Sequence, residues 1–214
     1  MAFPTTNATQ ELPAVNEILA SVGQAPVTTL DQTNPDVAIA YNTLLQVSRE
    51  VQAEGWTFNT EFNVTKTTDD NKEYIIPNDI LQIDLTHNST NYAKSVVRRT
   101  KPGETNPKLY DRYKHTYEIT SEAKGEIKVD IVYRFDWVDL PIPIQDYIVA
   151  RTAAIVSSRI VGDPTQYQIL QEKEGRTRAT ALEYECNQGD YTFFGHPTGQ
   201  NYYNSYQPYH ALYR

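Results

Sequence analysis

"DLPIPIQDYIVARTAAIVSSRIVGDP", residues 139–164, decides how this chain is organised. From Ile144 to Val161 it is apolar on nearly every face at helical spacing, the pattern of a helix in the middle of a bundle. Gly162 is placed to end that helix, Asp163 to cap the next and Pro164 to open it. The following helix, expected to run to about Asn187, is heavily charged, with Glu172, Lys173, Glu174, Arg176, Arg178, Glu183 and Glu185. One side of it must face solvent or a polar partner.

Upstream, the period is different. Between Trp56 and Asp136 lie six short runs rich in β-branched and aromatic residues: 61–67, 73–77, 80–86, 92–98, 114–120 and 126–135. Turn chemistry separates several of them, at "TDDNK", "PND", "KPGETNP" and "EAKG". In the last run, Ile127, Val129, Ile131 and Tyr133 should share one face, with Lys128, Asp130 and Val132 on the other. Such a block predicts a small antiparallel sandwich or barrel.

Further upstream, helical spacing appears twice. Leu12, Val15, Ile18, Leu19 and Val22 make one stripe, which predicts a helix over 12–22. For the second helix Asn34 can cap, Pro35 takes the first position, Asp36 faces the positive end of the dipole and Gly55 stops it. Val37, Tyr41, Leu44, Leu45, Ser48 and Val51 form its expected buried stripe. The fold class is therefore α+β: a four-helix bundle interrupted by an inserted antiparallel β-sandwich or barrel domain, with an extended C-terminal tail. The divisions fall at 1–55 (N-terminal helices), 56–140 (β-domain), 141–188 (C-terminal helices) and 189–214 (tyrosine-rich arm).

The arm has a distinctive composition. "GQNYYNSYQPYHALYR" (199–214) places Tyr202, Tyr203, Tyr206, Tyr209 and Tyr213 in sixteen residues without helical or strand periodicity. Tyrosine offers a large apolar surface and a hydroxyl at small entropic cost, which suits a segment that orders on a partner. Fully extended, the 26 residues after Gln188 would reach roughly 80 Å. The alternative is a tail folded over its own bundle.

Catalytic signals are absent from the sequence. There is no P-loop, GxGxxG, HExxH, GxSxG or paired-cysteine motif. His87, His115, His196 and His210 are scattered, so no metal and no cofactor is expected. Cys186 is the single cysteine, expected to be a partly buried and inert thiol. Asp111, Arg112 and His115 read as a solvated salt-bridge cluster. Trp56, Phe58 and Trp137 flank the β-block and are expected to pack at the domain junction; a carbohydrate-stacking role for the tryptophans is the competing reading. The net charge of −8 argues against general nucleic-acid binding. No leader and no membrane span is apparent, so a soluble product made in a cytoplasm is expected.

Four stretches in order carry a family resemblance: "ELPAVNEILASVGQAPV" (11–27), "EVQAEGWTFNTE" (50–61), "KLYDRYKHTYEI" (108–119) and "FDWVDLPIPIQDYIVARTAA" (135–154). Over roughly residues 10–190 the chain resembles the tail tubular protein A family of short-tailed phages. The resemblance implies a structural virion protein, a homo-oligomeric adaptor and gatekeeper ring of twelve subunits. Such a ring joins the portal protein to the tail nozzle protein, seats tail fibres and lines the channel through which DNA passes. It would be assembled in the host bacterial cytoplasm. Acidic charge along that channel would keep DNA from sticking, but subunits of like charge must then overcome mutual repulsion. Some members are described as degrading peptidoglycan, and no motif here accepts those catalytic residues. The alternatives are a virion-associated peptidoglycan hydrolase and a carbohydrate-binding module.

Overall fold

A computed structural model describes residues 8–31, 33–86 and 92–189. Its four helices are α1 (Ala8–Ser21), α2 (Pro35–Gln52), α3 (Ile142–Ile160) and α4 (Pro164–Gly189). Between α2 and α3 lie five strands: β1 (Thr60–Thr67), β2 (Ile80–Leu85), β3 (Val96–Thr100), β4 (Pro107–Asp111) and β5 (Glu126–Tyr133). Short 3-10 turns, Thr57–Asn59 and Trp137–Asp139, stand on either side of the strands. Among the described residues the chain is thus a mixed α/β protein with four helices and two small antiparallel sheets.

Local chemistry sets the helix ends. The Asn34 side chain accepts from the Asp36 N–H at 3.0 Å with Pro35 in the first turn, as the sequence predicts. Asp163 caps α4 in the same way, accepting from the Thr165 N–H at 2.9 Å. Gly162 takes φ +70°, the left-handed conformation that turns α3 into α4. α1 starts earlier than expected and carries Pro13 inside it. Burial of Val15, Ile18, Leu19 and Val22 outweighs the one hydrogen bond that this proline removes. In α2 the stripe shifts slightly: Val47 and Ala40 are buried, while Leu45 and Ser48 are only half-buried.

α3 packs against the other three helices. Ten of its 19 residues are buried, including Ile144, Tyr147, Ile148 and Val156, and each large aliphatic contributes about 1.5–3 kcal/mol. One apolar cluster joins residues of α1, α2 and α3 with Ala181 of α4, Trp56 and Trp137. A second cluster serves the strands, with Tyr74, Ile76, Ile80, Val96, Leu109, Ile119, Ile127, Val129 and Ile131.

The strands form a three-stranded sheet in the order β1-β5-β2 and a separate β3-β4 hairpin. On β5, Ile127, Val129 and Ile131 are buried and Tyr133 packs against them, as alternation predicts. Two expected strands do not form. In 73–77 only Ile75 makes an isolated bridge, to Lys108, and within 114–120 Thr116 bridges Asp111. Pro77 cuts the first run short, and the second opens in a tight turn with His115 at φ +56°. The strand instead falls on Pro107–Asp111, with Pro107 at its first position, where a proline does not interrupt the ladder.

Candidate assembly surface

Two features dominate the helical side of the molecule: a buried polar joint between helices and sheet, and the long outer helix α4. The joint is built on two amides. Gln52 accepts from the Phe135 N–H at 2.7 Å and donates to the Phe135 carbonyl at 3.2 Å, imitating a strand pairing. Asn59 accepts from the Trp56 N–H and donates to the carbonyls of Gln52 and Tyr133, each at 2.8 Å. Both amides are 1% exposed. They satisfy backbone groups where α2 gives way to β1 and β5 gives way to α3.

The aromatic residues singled out by sequence lie around this joint. Trp56 is 4% exposed and its Nε1 donates to the Val51 carbonyl at 2.7 Å. Trp137 is 9% exposed in the same apolar cluster. Phe58 packs against that cluster with its ring 6.2 Å from that of Phe135. Neither buried indole offers a face for stacking on a sugar. Tyr202, Tyr203, Tyr206, Tyr209 and Tyr213 lie outside the described residues.

α4 is held differently. Only Ala181 and Gly189 of its 26 residues are buried. Its inward positions, Gln166, Leu170, Glu174, Thr177, Ala181, Tyr184 and Glu185, recur every three or four residues and are mostly polar. Polar clamps replace apolar burial. The Gln166 amide donates to the Ser21 carbonyl, and Lys173 pairs with Glu17 at 2.7 Å. Arg178 donates to the Tyr147 hydroxyl at 2.7 Å and reaches Glu54 at 3.5 Å. Glu185 accepts from the Thr57 N–H at 2.8 Å. These anchors extend over about 28 Å of helix, leaving Tyr167, Ile169 and Leu182 exposed.

Two titratable groups are perturbed under α1. Burial pushes the Glu11 carboxyl above its usual range; a hydrogen bond from the Tyr41 hydroxyl opposes this and nearby Asp136 reinforces it. Burial, with Glu11 beside it, likewise raises the Tyr41 phenol. In the strand region Glu73 sits between Lys101, at 2.7 Å, and Lys108. Burial works against its charge, but hydrogen bonds from the two lysines prevail and hold the carboxyl below its usual range.

Two expectations about reactive groups need correction. Cys186 is exposed rather than partly buried, because it lies on the outer side of α4. Asp111 is fully buried, not solvated: it accepts from the N–H groups of Tyr113 and Lys114 and shapes a turn, while Arg112 and His115 are exposed. Among the described residues no group of three His, Cys, Asp or Glu side chains is placed to hold a metal, and no helix is long and apolar enough to cross a membrane. Sequence reasoning missed Gln52 and Asn59, and took Glu185 only as one of the many charges of the last helix. A polar residue at an otherwise apolar position of the α2 stripe was the one signal, and it pointed to Gln52 alone.

A family model described as tail tubular protein matches residues 12–191. No curated protein matches the chain.

Proposed function

The chain belongs to the tail tubular protein family, structural components of the phage tail, and on that premise we propose that it is a non-catalytic adaptor subunit. In this reading twelve copies form a ring that joins the portal to the tail nozzle, seats tail fibres and lines the channel for DNA. The four helices act as a bundle, residues 1–55 with 141–188. Residues 56–140 are a sandwich-like insert, and 189–214 an arm that reaches a neighbouring or portal subunit. Assembly takes place in the host cytoplasm.

The observation that carries the proposal is α4. A 26-residue helix with two buried residues leaves most of its surface for other chains. Its polar clamps fix that surface without consuming its outer side. The buried amide joint ties the strands to the helices by hydrogen bonds, which suits a subunit that must keep one geometry around a closed ring. Mixing the purified protein with portal rings and imaging the product by negative stain tests the proposal. A second ring stacked coaxially on the portal is the expected result. Portal rings that remain bare at micromolar protein would overturn it, and dye release from purified peptidoglycan by the protein would refute the non-catalytic part.

A further inference from the structure

Charge is unevenly distributed along this chain. Between Lys94 and Lys114 lie seven of its 19 basic residues and only two of its 27 acidic ones, so that stretch carries +5 within a chain of −8. The structure folds it into the β3–β4 hairpin and the turn that follows. Lys101 and Lys108 are neutralised by Glu73 and Glu104, and the Arg98 guanidinium donates to the Ile80 carbonyl at 3.0 Å. Arg99 lies over the Tyr110 ring at 4.8 Å. Lys94 and Arg112 are left at the open end of the hairpin beside Lys114, whose ammonium donates to the Tyr92 carbonyl at 3.0 Å; all three are exposed. None of the three forms an ion pair with a described residue.

That end is hydrogen-bonded along its backbone and partly aromatic. The buried Asp111 carboxylate accepts from the N–H groups of Tyr113, at 2.8 Å, and Lys114. The Asp111 N–H donates to the Thr116 carbonyl at 2.9 Å, and the Arg112 N–H to the Ser95 carbonyl at 2.8 Å. Tyr113 is 79% exposed, and Tyr92 lies under the Lys114 ammonium with about half its surface open. The tip therefore presents three cations and two rings on a backbone tied by these hydrogen bonds.

Its complement lies at the junction of the Trp137–Asp139 turn with α3. Asp136, Asp139 and Asp146 are exposed there, and no basic residue occurs between Arg134 and Arg151. Val138 and Ile142, the latter 72% exposed, fall between these aspartates in the sequence. None of the three aspartates is in an ion pair with a described residue.

We propose that the Lys94–Arg112–Lys114 tip of one copy docks on the Asp136–Asp139–Asp146 patch of the next copy of this chain. The contact is heterologous, since two different surfaces meet, and repetition of such a contact generates a ring. It answers the repulsion expected between subunits of net charge −8, because the two local surfaces attract where the whole chains repel. Tyr92 and Tyr113 against Val138 and Ile142 supply apolar contact at its centre. A nucleic-acid partner is disfavoured: three cations on a chain otherwise at −11 make a poor track for a polyphosphate.

The proposal rests on the ring reading, and charge exchange separates the two. One variant reverses the tip (Lys94→Glu, Arg112→Glu, Lys114→Glu) and another reverses the patch (Asp136→Lys, Asp139→Lys, Asp146→Lys). Circular dichroism and melting confirm that each is folded. The milder Lys→Gln and Asp→Asn sets stand in for any variant that is not. Sedimentation velocity should show wild-type self-association that weakens with salt. Either variant alone should associate about 10- to 100-fold more weakly, as expected for the loss of three partly exposed pairs. An equimolar mixture of the two reversed variants should associate again, since reversed tip then meets reversed patch. The contact is overturned by a wild type that stays monomeric, by neutralised or reversed variants that associate like wild type, or by reversed variants that do not rescue each other. Retention of wild type on double-stranded DNA, lost in the tip variant, would assign the tip to nucleic acid instead. A ring on the portal formed equally well by the tip variant would refute this contact while leaving the adaptor reading intact.

Discussion

Replacing Asn59 with alanine should loosen the joint between helices and sheet. The side chain is 1% exposed and makes three hydrogen bonds of 2.8 Å, to the Trp56 N–H and the carbonyls of Gln52 and Tyr133. Alanine removes all three bonds in a site too enclosed for easy hydration, and the Gln52 carbonyl keeps its longer bond from the Gly55 N–H, at 3.2 Å. At about 1 kcal/mol for each lost bond, the cost is about 3 kcal/mol. For a chain of 214 residues this corresponds to a melting temperature lower by roughly 6–12 °C. Urea unfolding followed by tryptophan fluorescence reads the change directly, since Trp56 and Trp137 are both buried nearby. Asn59→Asp sharpens the test. It keeps an acceptor for Trp56 but turns a charged oxygen toward two carbonyls, so at pH 7 it should cost at least as much as alanine. Part of that cost should return as the carboxyl is protonated on acidification. An Asn59→Ala protein within about 0.5 kcal/mol of wild type, the range of neutral surface changes, would refute the role given to the joint.

Other outcomes follow from the same structure. Gly162→Ala, at φ +70° with open space around the Cβ position, should cost about 1–2 kcal/mol through backbone strain alone, measured by chemical denaturation. The raised Glu11 carboxyl binds its proton more tightly in the folded state. Its contribution to stability is therefore complete below its ordinary value of 4.5 and is lost as pH rises through the higher folded value. Glu11→Gln should flatten that part of the stability–pH profile. Replacing Tyr202, Tyr203, Tyr206 and Tyr209 with serine should leave the melting temperature nearly unchanged and weaken portal binding tenfold or more if two rings are engaged. A drop of several degrees without loss of binding would instead show the tail packed on its own chain.

Features encoded by neighbouring residues were legible in the sequence. Asn34 and Pro35 mark the start of α2 because cap and helix are adjacent, and Gly162, Asp163 and Pro164 mark the turn from α3 to α4 for the same reason. The apolar faces of α1 and β5 could be read from their periods. Strand assignment failed where propensity and pairing diverge. The run at 73–77 has the right composition and lies along β4, but it forms only the isolated bridge at Ile75 and two backbone hydrogen bonds beside it. β4 was hidden behind Pro107 and a turn-rich prelude, although its partner β3 fixes it as a strand. The joint was least legible, since Gln52 finds Phe135 from 83 residues away and Thr57 finds Glu185 from 128. No local pattern specifies such pairings. The opposition of the two charged surfaces was equally hidden, because the aspartates and the basic hairpin look like ordinary solvated charge until burial and pairing are known.

The central claim is that this family member acts as a ring-forming subunit between portal and nozzle. A cryo-EM reconstruction of the intact tail tests it most directly. Twelve copies of the chain in one ring at that level, with α4 in contact with other chains, is the predicted result. A tail whose portal meets the nozzle without this chain, or one in which α4 faces only solvent, would contradict the account.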